Sequence, residues 1–82
     1  MDSGKYRIAI DIAQGDETYP GSTIKEYITF KLDRAYIVFD RFKQEIKDGK
    51  IKYELLPEES YFVTLKEWKE GEYEDISSCY LK

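Results

Sequence analysis

The chain has 82 residues, a formal net charge of −4 and no histidine, and hydrophobic residues make up 41% of it. This length allows one domain with a small core, so we treat residues 1–82 as a single domain, and the apolar content excludes wholesale disorder. Without histidine the chain lacks the usual general base and the usual zinc ligand, and no apolar run approaches the roughly 20 residues of a membrane-spanning helix.

The single cysteine, Cys79, excludes a disulfide within the chain and a zinc site built on cysteines. The sequence begins Met-Asp-Ser-Gly-Lys, which has no apolar stretch resembling a signal peptide. We therefore expect a reducing, cytoplasmic setting.

The first third of the chain predicts two antiparallel strands joined by a loop. Residues 6–12 alternate in polarity, residues 13–23 are rich in turn formers, and residues 24–32 alternate again. In the first strand the inward side chains are Tyr6, Ile8, Ile10 and Ile12. In the second strand we expect Ile28, Phe30 and Leu32 to face inward and Tyr27, Thr29 and Lys31 to face outward.

A helix is predicted next, with Asp33 as its N-cap and Gly49 as its C-terminal stop. Its apolar stripe consists of Ala35, Phe39, Phe42 and Ile46, with Val38 beside it. The alternative continues β-structure through residues 36–39 after a turn at Asp33. That turn lacks the glycine that tight hairpins favour, and Phe42 would have no packing role.

The rest of the chain predicts a short strand over residues 51–56, ended by Pro57, a turn over residues 58–60, and one long β-hairpin. The hairpin strands are residues 61–68 and 73–81, and the turn is residues 69–72. The predicted fold class is therefore α+β, with one helix packed on one face of a mostly antiparallel sheet and the element order β-β-α-β-β-β.

This order allows a β-grasp-like arrangement, in which the strand after the helix lies parallel to the first strand. In size and element order the chain resembles ubiquitin-like and other β-grasp modules. It carries no motif specific to them, and its end, Cys-Tyr-Leu-Lys, lacks the Gly-Gly tail of a conjugating modifier.

No motif for catalysis, metal or cofactor binding is present, so we expect no enzyme and no cofactor. The pairs Glu58-Glu59 and Glu74-Asp75 are sequence neighbours, and neighbouring side chains of a strand point to opposite sides. The Asp16-Glu17 loop lacks the spacing of a calcium loop. Cys79 has no cationic neighbour that would activate a thiolate, which favours a packed structural thiol.

The negative charge is concentrated in residues 52–75, which hold eight acidic residues against three lysines and carry a net of −5. Aromatic anchors inside a polar rim are typical of protein-binding surfaces. We therefore predict a surface for a basic protein partner, formed by Tyr27, Phe62, Trp68, Glu70, Glu72, Tyr73, Glu74 and Asp75.

In length, acidity, lack of histidine and tyrosine content, the chain resembles accessory proteins of phages and other mobile elements, including anti-CRISPR inhibitors. The resemblance implies an inhibitor or adaptor that occupies a partner's basic surface, as a monomer or homodimer. One alternative is a homodimeric structural module that pairs through an exposed sheet edge. Another is weak binding of single-stranded nucleic acid by exposed aromatics, which the sequence pI of about 4.8 disfavours. A third is that the acidic residues only keep the protein soluble.

Overall fold

The computed structural model describes residues 5–15, 17–18 and 22–82. In chain order its elements are β1 (Tyr6–Gln14), β2 (Glu17–Thr18), β3 (Lys25–Thr29), α1 (Leu32–Lys47), β4 (Glu59–Lys69) and β5 (Glu72–Leu81). The predicted α+β class with one helix is confirmed. Part of the predicted 13–23 loop, residues 16 and 19–21, lies outside the described residues, and the described part contributes the short β2. Among the described residues no helix has the length and apolar character needed to cross a bilayer.

The strands form one antiparallel sheet with β1 near its centre. β3 and the two-residue β2 pair with one edge of β1, β4 pairs with the other edge, and β5 pairs with β4. Ile8, for example, lies between Tyr27 of β3 and Leu65 of β4. This register places the end of β1 beside the start of β4, and the start of β1 beside the end of β3.

The predicted β-grasp-like return of a strand parallel to the first is wrong, because β4 runs antiparallel to β1. β3 already runs antiparallel to β1, and α1 then carries the chain back along the sheet. The strand after the helix therefore starts beside Gln14, at the far end of β1, and runs in the direction of β3. The parallel relation produced by the crossover is between β3 and β4, with β1 between them.

The core lies between α1 and the face of the sheet formed by the inward residues of β1 and β4. It contains the predicted helix stripe, and Phe42 is only 4% exposed. The described core cluster consists of Ile8, Ile10, Ile12, Ala35, Val38, Phe39, Phe42, Ile46, Tyr61, Val63 and Leu65. Burial of these side chains is the main favourable term for folding such a small domain.

The predicted orientation of β3 is wrong: Ile28 lies opposite Arg7, away from the helix, and is 42% exposed, whereas Thr29 lies opposite Tyr6 on the helix side. Leu32, also predicted to face inward, is 43% exposed at the start of the helix.

Two further predictions at the start of the helix are wrong. Phe30 is 67% exposed rather than part of the core, because β3 ends at Thr29 and the helix begins at Leu32. The N-cap is Lys31, which makes no side-chain capping bond, and Asp33 lies in the first turn, where its charge complements the helix dipole. At the other end the predicted stop is confirmed: Gly49, at φ +74°, donates its N–H to the Ile46 carbonyl at 3.1 Å.

The predicted strand over residues 51–56 is absent, and residues 50–58 form an extended connector with a turn at residues 57–58. The Glu59 carboxylate, on a residue that is 4% exposed, holds this connector against β4. Its Oε1 accepts the Leu56 N–H at 3.0 Å and the Tyr53 hydroxyl at 3.4 Å. Glu59 and Ser60 thus begin β4 instead of forming the predicted turn. Hydrogen bonds to this side chain replace the sheet ladder that a sixth strand would need.

Candidate functional site

The C-terminal hairpin is confirmed, and its turn consists of Glu70 and Gly71. Both residues have positive φ, +48° and +87°, as in the type I′ turns that match the twist of a two-residue hairpin. Gly71 adopts this conformation without strain, because it has no Cβ. The hairpin is therefore tightly closed between Lys69 and Glu72.

An irregularity interrupts β5 at Ile76. Leu65 pairs with Ser77 and the next residue, Lys66, pairs with Asp75, so Ile76 has no partner on β4. An extra residue of this kind is a β-bulge, which reverses the inward and outward alternation beyond it. The bulge therefore determines which β5 side chains between the turn and Ile76 face away from the helix.

On the face of the sheet opposite α1, β4 and β5 place four cross-strand pairs in a row, which we call the hairpin ladder. Its members are Phe62 and Tyr80, Thr64 and Ser78, Lys66 and Asp75, and Trp68 and Tyr73. The Phe62 and Tyr80 rings stack with centroids 4.4 Å apart, and Trp68 meets Tyr73 edge to face at 4.9 Å. The two aromatic pairs are separated by about 20 Å along the strands.

The middle of the ladder is polar. Lys66 Nζ lies 3.8 Å from Asp75 Oδ1, a solvent-exposed pair that stabilises the fold little. Thr64 is 1% exposed, and its Oγ1 has no hydrogen-bond partner within the described part of the chain. Opposite Thr64, Ala9 of β1 is fully buried although no described element lies over this face. The centre of this face, at Ala9 and Thr64, is therefore almost inaccessible to solvent.

The β1 and β3 side of the same face is a network of charged and hydroxyl groups. Arg7 pairs with Glu26 and donates through Nη2 to Thr23 Oγ1 at 3.3 Å, and the Thr23 hydroxyl donates to Asp11. These groups satisfy one another. The aromatic character of the face is therefore confined to the hairpin ladder.

The predicted acidic residues lie around the tip of the hairpin rather than on one face. Glu72 and Glu74 pair with Lys69 and Glu67, which puts them on the helix side of the sheet, and Glu70 is in the turn. Glu67 and Glu74 are directly opposite each other, an unfavourable arrangement that Lys69 relieves, with its Nζ 3.9 Å and 3.8 Å from the two carboxylates.

Four of the predicted residues, Phe62, Trp68, Tyr73 and Asp75, come together on the ladder, with the three acidic residues of the tip adjoining them. The prediction that Tyr27 lies on this face is wrong. It lies opposite Ile8 and therefore on the helix side, because pairing with β1 sets its orientation. Tyr80, which is 46% exposed, belongs to the ladder and was missing from the predicted set.

The described residues contain no group of three or more cysteine and acidic side chains that could hold a metal ion. Cys79 is half-buried and packs against the core from the helix side of β5, where its Sγ is 3.7 Å from the Tyr80 carbonyl oxygen. This is the environment expected of a structural thiol.

Comparison with known proteins finds no family model, no curated protein and no solved structure that matches the chain.

Proposed function

We propose that this chain is a non-catalytic protein-binding module, an inhibitor or adaptor that docks its hairpin ladder onto a basic surface of a partner protein. The observation that supports this most is the collection of four aromatic side chains in two cross-strand pairs on a face that no described element covers. Aromatic rings held by a neighbour lose little entropy on binding, which makes them effective anchors.

The charge around the ladder supports a basic partner. The exposed residues of the tip include Glu70, Glu72, Glu74 and Asp75, whereas its cations are Lys66 and Lys69. Such a surplus at the rim speeds association with a positive surface and repels nucleic acid. The alternative of binding single-stranded nucleic acid through the same rings is less favoured for this reason.

A photo-crosslinking experiment tests the proposal. The photoreactive residue replaces Tyr73 in one sample and, as the matched control, Lys47 in another, since Lys47 is exposed in the last turn of the helix. We expect a basic protein to be captured at position 73 and not at position 47, and the capture to fall when Trp68→Ala is added. The matched control for this loss is Tyr36→Ala, an exposed aromatic on α1.

Equal capture at positions 73 and 47, or capture of nucleic acid at position 73, would contradict the proposal. Thermal melting of each variant separates loss of binding from loss of fold, because Trp68→Ala also removes the contact with Tyr73.

A further inference from the structure

The opposite edge of the sheet carries a second surface, between β3 and α1. β3 pairs with β1 along one of its edges, and within residues 5–15, 17–18 and 22–82 no strand pairs with its other edge. About half of the β3 backbone N–H and C=O groups therefore point away from the sheet. A free edge of this kind is a template for an added strand.

A groove of about 200 Å³ runs beside this edge. Tyr27 of β3 forms part of one wall, and Val38 and Phe42 of the helix contribute its apolar surface. Arg34 and Arg41 also line it from the helix. They are seven residues apart, or two helical turns, so both guanidinium groups project from the same side of α1 about 10 Å apart along its axis.

The two arginines are the unpaired charges of the groove. Lys25 Nζ is 2.6 Å from Glu45 Oε1, and Glu26 is paired with Arg7, so both carboxylates that line the groove already have partners. Within the described residues neither Arg34 nor Arg41 has a carboxylate at ion-pair distance. The groove thus holds two cations without a carboxylate partner among the described residues, on a protein whose net charge is −4.

We propose that this groove binds an extended acidic peptide segment of a partner protein, which adds to β3 as a further strand. The peptide backbone bonds to the free edge, and alternate side chains, which share one face of a strand, point toward the helix. Two of these side chains are carboxylates that bind Arg34 and Arg41. A planar guanidinium is well suited to bind a carboxylate through two parallel hydrogen bonds. An apolar side chain between the two carboxylates packs on the ring of Tyr27, which is 40% exposed and lines the groove.

This surface is independent of the hairpin ladder, which lies at the β5 side of the sheet. The groove favours an acidic partner, whereas the hairpin ladder favours a basic one. An adaptor would use both edges at once. Failure of one surface leaves the other unaffected, because the residues that form them are different.

The test uses a synthetic peptide in which Glu, Val and Glu alternate with Thr, and an otherwise identical peptide with Gln in place of Glu. Binding to the full chain is measured by fluorescence polarisation, and hydrogen exchange at the β3 amides reports the added strand. We expect alternate amides within Lys25–Thr29 to gain protection. The Gln peptide should bind roughly fivefold more weakly or worse, as for two surface ion pairs.

The double variant Arg34→Gln with Arg41→Gln should show the same loss of affinity for the Glu peptide. Its matched control, Lys47→Gln with Lys50→Gln, removes the same charge from exposed sites outside the groove and should change the affinity less than about twofold. N-methylation of one alternate set of peptide amides should abolish binding, whereas methylation of the other set is tolerated, because only one set faces β3.

Four results would overturn the proposal. They are equal binding of the Glu and Gln peptides, equal losses for the arginine and lysine double variants, protection at β5 instead of β3, and tolerance of both methylation patterns. Displacement of the peptide by equimolar inorganic phosphate or oligonucleotide would reassign the groove to free anions or nucleic acid. Concentration-dependent association that the arginine variant disperses would reassign it to a second copy of the chain.

Discussion

Tyr73 and Tyr80 face the same side of the sheet although they are seven positions apart along β5, an odd spacing. In a regular strand they would point to opposite faces, since side chains alternate with a period of two. The bulge at Ile76 supplies the extra residue that brings both rings onto the β4 partners Phe62 and Trp68. The bulge therefore compensates for the odd spacing of the two tyrosines.

Deletion of Ile76 tests this relationship. The remaining residues can then pair without a bulge while Trp68 stays opposite Tyr73 and Phe62 stays opposite Tyr80, so we expect both aromatic contacts to persist. Nuclear Overhauser effects between each pair of rings measure this. A variant that folds but loses either contact would show that the local geometry of the bulge, and not only the spacing of the two tyrosines, is needed for the ring contacts.

The buried hydroxyl of Thr64 predicts a stabilising substitution. Thr64→Val keeps the side-chain shape and removes a polar atom that has no hydrogen-bond partner among the described residues, so the free energy of unfolding should rise by about 1 kcal/mol or more. For a domain of this size that corresponds to a melting temperature higher by roughly 4–8 °C. Ser78→Ala, at the exposed partner position, is the control and should change stability little. An unchanged or lower melting temperature for Thr64→Val would mean that the hydroxyl is satisfied.

Two phenylalanines with opposite environments test the fold. Phe42→Ala should cost about 3–5 kcal/mol, because it leaves a cavity in the core, and much of a small domain's stability would be lost. Phe30→Ala at the exposed start of the helix should lower stability by roughly 0.5 kcal/mol or less. Urea denaturation gives both values. Similar costs for the two variants would contradict the burial of Phe42 or the exposure of Phe30.

We expect the protein to lose stability at alkaline pH because of two tyrosines, Tyr53 in the connector and Tyr61 in β4. Burial, and then the neighbouring Glu59 carboxylate, raise the pKa of Tyr53, and burial likewise raises the pKa of Tyr61. Folding therefore favours the protonated phenols, and stability is lost as pH rises above the unfolded value of about 10. Tyr53→Phe should make unfolding less dependent on pH in this range. Tyrosinate absorbance and thermal melting against pH measure the effect, and a slope unchanged by Tyr53→Phe would refute it.

The elements with strong periodicity could be predicted from the sequence. The alternation of residues 6–12 and the Phe39 and Phe42 stripe led to β1 and α1, since each pattern has one buried solution. Phe30 misled the prediction because it was grouped with Ile28 on the inward face, whereas the helix side of β3 is formed by Tyr27 and Thr29 and the strand ends at Thr29. The connector at residues 50–58 could not be anticipated, since it is held by the side chain of Glu59 rather than by a sheet ladder.

The candidate site could be predicted only in part. Counting outward from the Glu70-Gly71 turn pairs Trp68 with Tyr73, but the same count pairs Phe62 with Cys79 instead of Tyr80. Nothing in the local sequence marks Ile76 as a bulge. Tyr27 was assigned to the wrong face for a related reason, because the orientation of β3 depends on its pairing with β1.

Docking of the hairpin ladder on a basic protein is tested by measuring the affinity for the captured protein as a function of salt. Three chains are compared: the wild type, Trp68→Ala, and the double variant Glu72→Lys with Glu74→Lys. We expect Trp68→Ala to weaken binding at every salt concentration, by about 2 kcal/mol if it is a central anchor. The variant with Glu72→Lys and Glu74→Lys should slow association mainly at low salt, because rim charges are screened beyond about 10 Å at 0.1 M ionic strength. Wild-type affinity for Trp68→Ala, or tighter binding of the double variant to a generic oligonucleotide than to the protein, would contradict the account.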